Sequence, residues 1–143
     1  MTTFPVTADI QFAPASGTLY VDDLVDPSGT PTTVLDIDQG FKVKGRVELP
    51  GWLSGKGLVR ITADEKGGPI DTSVGEQLLT ITGSTSPTDP PAISYPFEIE
   101  VKSPALPDES KMYDLGVIFV FQTAAGGHTD IGGFYDLGAF LVV

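Results

Sequence analysis

The stretch Phe41-Lys42-Val43-Lys44-Gly45-Arg46-Val47-Glu48-Leu49 decides the fold class. Its odd positions are apolar or glycine, and its even positions are all charged. Strict alternation of this kind marks a strand with one face in a core and the other in water. The pattern returns in Tyr95-Pro96-Phe97-Glu98-Ile99-Glu100-Val101-Lys102. Pro96 is tolerable there near a strand start or on a sheet edge, where its missing N–H breaks no ladder bond. Working outward, 58–63 and 77–82 read as shorter strands rich in β-branched residues. Residues 6–13 and 18–21 read as strands separated by the break Pro14-Ala15-Ser16-Gly17, and 112–122 and 134–143 as a closing pair.

No window of a dozen residues keeps helical spacing, and glycine and proline make up 29 of the 143 residues. They fall between the strands, in Asp26-Pro27-Ser28-Gly29, Leu49-Pro50-Gly51, Lys66-Gly67-Gly68-Pro69 and Asp89-Pro90-Pro91. Seven or eight short strands with turn clusters between them predict an all-β sandwich or barrel, one domain over 1–143. A chain of this length buries about two-thirds of its unfolded surface, enough for a core without metal or disulfide. Tyr-Asp-Leu-Gly occurs twice, at 113–116 and 135–138, but the flanking residues differ. Similar needs at strand entry explain it better than duplication.

Strand count and length resemble an antiparallel immunoglobulin-like or fibronectin-like β-sandwich over most of the chain. Tyr113, after the Pro107-Asp108-Glu109-Ser110 turn and opening an apolar strand, sits where a tyrosine corner sits. The Cys…Trp…Cys signature of antibody domains is absent.

Composition excludes several classes of chemistry. With no cysteine there is no disulfide frame, thiolate zinc site, iron–sulfur cluster or cysteine nucleophile. Acids outnumber bases 19 to 8, a formal charge of −11 that argues against nucleic acid and against anionic membrane surfaces. No basic stretch precedes an apolar run at the N-terminus, and no apolar stretch reaches the roughly 20 residues of a spanning helix. The default expectation is therefore a cytoplasmic protein without membrane insertion, with non-classical export as the other route.

The catalytic inventory is thin. His128 is the only histidine, and Ala124-Ala125-Gly126-Gly127-His128-Thr129-Asp130 reads as a hairpin loop, a poor mount for a general base. No nucleophile elbow or phosphate loop is present. No enzyme is expected, and no cofactor. Calcium is the one metal with candidate ligands, Asp22, Asp23 and Asp26 in one acidic segment and Asp36 and Asp38 in another. Neither segment completes a known calcium loop.

Trp52 follows Pro50-Gly51 between two strands. A tryptophan at a sandwich end most often plugs the core. Turned outward near a tyrosine such as Tyr20 or Tyr95, it would instead suit the face of a sugar, and a carbohydrate-binding module is the alternative function.

The final hairpin carries more apolar residues than one sandwich face requires. Val117, Phe119 and Phe121 fill one side of a strand while Ile118 and Val120 fill the other. In the partner strand Phe134, Phe140 and Val142 alternate with Tyr135, Leu137, Ala139 and Leu141. Cover for the second face comes either from the chain itself, through the N-terminal segment or the loop 21–31, or from a protein partner or second copy. On the latter expectation Ile118, Val120, Tyr135, Leu137 and Leu141 form the interface.

One further resemblance bears on the setting. Asp38-Gln39-Gly40-Phe41 through Gly57-Leu58-Val59-Arg60-Ile61, with Gly133-Phe134 ahead of a final apolar strand, resembles small uncharacterised sandwich proteins of bacteria. Some of these lie in gene neighbourhoods of injection machinery or phage-tail-like assemblies. The resemblance implies a non-catalytic structural or accessory component of a larger complex, which fits a self-associating binding module.

Overall fold

Alternation dictates most of the architecture. The computed structural model describes residues 6–11, 16–26, 34–36, 40–65, 72–83, 92–101 and 111–142. These form β1 (Val6–Gln11), β2 (Ser16–Val25), β3 (Val34–Leu35), β4 (Phe41–Pro50), β5 (Gly55–Glu65), β6 (Thr72–Ile81), β7 (Ala92–Val101), β8 (Lys111–Gln122) and β9 (His128–Val142). The eight long strands lie in two antiparallel sheets of four, β1-β2-β4-β7 and β6-β5-β8-β9. A single pair, Gln11 with Gly132, carries the ladder from one sheet to the other. Two-residue β3 runs parallel to the end of β9. The chain is an all-β sandwich, as the patterning predicts.

Both sheets turn their alternating apolar positions inward. Val43, Val47 and Leu49 of β4 meet Phe97, Ile99 and Val101 of β7 on one side of the core. Val59 and Ile61 of β5 and Val117, Phe119 and Phe121 of β8 form the other. Burying each such side chain contributes about 1.5–3 kcal/mol, and no polar or charged side chain among the described residues is buried with them.

Register shifts occur at four places in the described strands, and two of them correct the simple period-2 reading. In β2 the register shifts between Val21 and Asp23 against β4. Asp22 is the extra residue, so Asp22 and Asp23 both stay out of the core while Leu24 enters it. The segment expected as an acidic loop is thus strand. In β9 the register shifts where Leu115 pairs with Gly138 and Gly116 with Asp136. Leu137 is the inserted residue, and Gly138 takes φ +88°, a left-handed conformation that glycine adopts without steric cost. The Asp136 carboxylate accepts the Gly138 N–H at 2.9 Å and fixes the kink. The two Tyr-Asp-Leu-Gly segments therefore face each other across β8 and β9 at this bulge.

The β7 edge is blunted against pairing with another strand. β7 ends its sheet and carries Pro96 mid-strand, so the edge position, and not a strand start, accommodates the proline. Its Glu98 N–H donates to the side-chain oxygen of Gln77 on β6 at 3.0 Å, which ties the two sheets along that seam.

Candidate protein-binding surface

The two outer faces differ in chemistry. On β1-β2-β4-β7 several charged residues of the alternating strands pair with one another. Arg46 Nη1 lies 2.6 Å from Asp22 Oδ1, its Nε 3.9 Å from Glu48 Oε1, and its guanidinium 4.1 Å over the Tyr20 ring. The Tyr20 hydroxyl donates to Glu48 Oε2 at 3.3 Å, and Lys42 Nζ sits 3.4 Å from Glu98 Oε1. Half-exposed pairs of this kind are worth about 0–1 kcal/mol each and chiefly keep the face soluble. A shallow cleft of about 560 Å³ opens here beside Asp22, Asp23, Lys44, Gln77, Pro96 and Glu98. Asp22 and Glu98 are already engaged in it by Arg46 and Lys42.

The outer face of β6-β5-β8-β9 is apolar at its centre. Register sets two rows across the four strands. One reads Glu76, Arg60, Ile118, Phe134 and the next Leu78, Leu58, Val120, Gly132. Phe134 is 56% exposed and Leu78 54%. Leu58, Ile118 and Val120 between them are half-buried. Further along the same face Met112 pairs with Leu141, at 41% and 37% exposure. The Phe134 ring lies over Gly116, where a Cβ would come within 2.8 Å of it. Arg60 Nε is 3.3 Å from Glu76 Oε2, so the only charges in the two rows balance.

Of the hairpin residues expected at an interface, Ile118, Val120 and Leu141 face outward. Tyr135 and Leu137 do not: Leu137 is 1% exposed and Tyr135 packs against the core. The β9 bulge is the reason, because one inserted residue moves every side chain before it to the opposite face. Phe134, assigned by uniform alternation to the same side as Phe140, thereby becomes the most exposed phenylalanine of this face. Leu78 was missed altogether, although Leu78-Leu79 in an alternating strand forces one leucine outward.

The expected intramolecular covers lie elsewhere or outside the described residues. Residues 21–25 belong to β2 in the opposite sheet, 27–31 are outside the described part, and β1 sits at the junction of the sheets.

Trp52 corrects the core-plug expectation. Leu53 N–H donates to the Pro50 carbonyl at 3.1 Å, closing a turn that leaves Trp52 at 61% exposure while Leu53 enters the core. The tyrosines do not join it in a sugar platform. Tyr95 is buried and its hydroxyl oxygen accepts the Gly83 N–H, and Tyr20 is stacked beneath Arg46.

His128 and Asp130 open β9 instead of lying in the loop. The turn is 123–127, closed by Gly126 N–H to Thr123 O and Thr123 N–H to Gly127 O. Of the calcium candidates, Asp22 is paired with Arg46, the Asp36 carbonyl accepts the Gly40 N–H, and Asp38 lies outside the described residues. Asp23 is on β2 at its bulge, and Asp26 directly follows that strand. Among the described residues no three histidine, aspartate or glutamate side chains converge, and no helix is long and apolar enough to cross a membrane.

No protein-family model, curated protein or solved structure matches the chain.

Proposed function

We propose that this protein is a non-catalytic module of immunoglobulin-like type that associates through the outer face of its β6-β5-β8-β9 sheet. The observation that carries it is the exposure of Phe134 and Leu78, on either side of half-buried Leu58, Ile118 and Val120. An apolar area that spans a four-stranded sheet is the mark of a protein contact. The type assignment rests on strand order. Immunoglobulin sandwiches keep strands A, B and E in one sheet and C, F and G in the other. Taken in chain order, β2, β4 and β7 fit the first set and β5, β8 and β9 the second. The intervening β6 pairs with β5 and not with β7, and β1 is added outside β2. Buried Tyr113 near the start of β8 agrees with a tyrosine corner. Such a module serves as a structural or accessory part of a larger assembly.

Sedimentation velocity tests the association. The wild-type protein is expected to form a larger species as its concentration rises. Phe134→Lys is expected to weaken that species at least about a hundredfold, since each copy loses the burial of one aromatic ring and brings a charge. Its thermal unfolding should match the wild type. Trp52→Ala should leave the association unchanged. A wild-type protein that stays monomeric at every concentration would contradict the proposal. The exposure of Trp52 alone favours the second reading, a sugar contact at the β4–β5 turn.

A further inference from the structure

We propose that the cleft on the outer face of β1-β2-β4-β7 binds a small zwitterion, a molecule that carries a carboxylate and an ammonium group as a free amino acid does. Its charged partners are Lys44 and Asp23. The two lie directly opposite each other on β4 and β2, both half-buried in the lining of the cleft.

The pairing pattern singles them out. Four charged residues line the cleft, Asp22, Asp23, Lys44 and Glu98. Arg46 holds Asp22 at 2.6 Å and Lys42 lies 3.4 Å from Glu98, so cations from outside the lining take up two of the carboxylates. Among the described residues neither Lys44 nor Asp23 has an ion-pair partner. The β2 bulge creates this surplus. It turns two consecutive acids outward, and Arg46 engages only the first.

Gln77 adds a contact of fixed polarity. Its side-chain oxygen accepts the Glu98 N–H at 3.0 Å, which leaves the amide N–H groups as donors in the lining. An ammonium and an amide donor suit a carboxylate, and Asp23 suits an ammonium. Pro96, exposed in the same lining, offers apolar surface to a ligand side chain. The volume of about 560 Å³ falls within the roughly 300–1,000 Å³ of small-molecule sites. Other ligands use the cleft less well. A free anion approaches against a chain charge of −11, and a metal ion meets the Lys44 ammonium. A zwitterion has no net charge and engages both unpaired groups. The site lies on the sheet opposite the association face, so the two proposals stand or fall separately.

The test titrates the isotopically labelled full chain with glycine, glutamine, leucine and phenylalanine, followed by heteronuclear NMR to millimolar concentration. At least one is expected to shift the amide signals of Asp23, Lys44 and Gln77 in a saturable way. Its N-acetyl and amide derivatives each lack one charge and should bind at least about tenfold more weakly. Lys44→Gln and Asp23→Asn should each weaken binding by a similar factor, with thermal unfolding unchanged. Gln77→Glu keeps an oxygen for the Glu98 N–H but removes the amide donors, and should weaken binding as well. If none of the four amino acids shifts these signals, the proposal is wrong. An N-acetyl derivative that binds as tightly as its parent would make the cleft a carboxylate site, and an equally tight amide derivative an amine site. Either result overturns the zwitterion assignment, as does binding that survives both Lys44→Gln and Asp23→Asn.

Discussion

Leu137→Lys is expected to unfold the protein, whereas Leu141→Lys, four residues further along the same strand, leaves it folded. Leu137 is sealed in the core beside Phe140. Replacing it strips about 2 kcal/mol or more of apolar burial and forces an ammonium group into an interior without a partner. The combined loss is roughly 4 kcal/mol or more, a large part of the 5–15 kcal/mol that holds a typical domain together. Leu141 lies on the outer face beside Met112, and lysine there keeps its charge in water, at a change of about 1 kcal/mol or less. Urea titrations followed by near-ultraviolet circular dichroism separate the two. Equal stability of the variants would mean that β9 runs without its bulge and alternates uniformly.

Gly45→Val is expected to prevent folding, and Gly45→Ala to cost about 3 kcal/mol, the upper range for overpacking a core. Gly45 occupies an inward position at the middle of β4, where the alternating pattern would accept valine. A Cβ there would overlap the Tyr20 carbonyl oxygen and approach Phe97 Cζ to 2.5 Å and Cε2 to 2.9 Å. The carbonyl belongs to the neighbouring strand β2 and cannot withdraw without breaking the ladder. The Phe97 ring, paired with Gly45 across β4 and β7, fills the space that the glycine leaves. Truncating the ring as well should therefore recover part of the loss, so Gly45→Ala/Phe97→Ala is expected to cost less than the sum of the single changes. Wild-type stability for Gly45→Ala in equilibrium unfolding would contradict this packing.

These two positions mark where the sequence is legible and where it is not. Alternation in 41–49 and 95–101 identifies β4 and β7 because each has one solvated face, and hydrophobicity there tracks burial residue by residue. Glycine–proline clusters locate the breaks for a similar local reason. The bulges are a different matter. Whether Asp22 or Leu137 is an extra residue depends on register against a partner strand, which local pattern does not encode. The nearest signal was the Asp136-Leu137-Gly138 run, an acceptor side chain two residues before a glycine able to take positive φ. Read as such, it would have turned Leu137 inward and Phe134 outward. Short β3 carries too few residues for any periodicity. The apolar surplus of the final hairpin was visible from the start. The bulge assigns part of it to the core, and the part left over joins Leu78 and Leu58 on strands that the hairpin pattern alone does not reach.

The association face is tested most directly by hydroxyl-radical labelling of the intact protein at low and high concentration, with side-chain oxidation read by mass spectrometry. Phe134 and Leu78 are expected to lose reactivity together as the larger species forms, while Trp52, exposed on a turn away from these rows, keeps its own. Undiminished labelling of Phe134 and Leu78 where the larger species predominates would contradict the account.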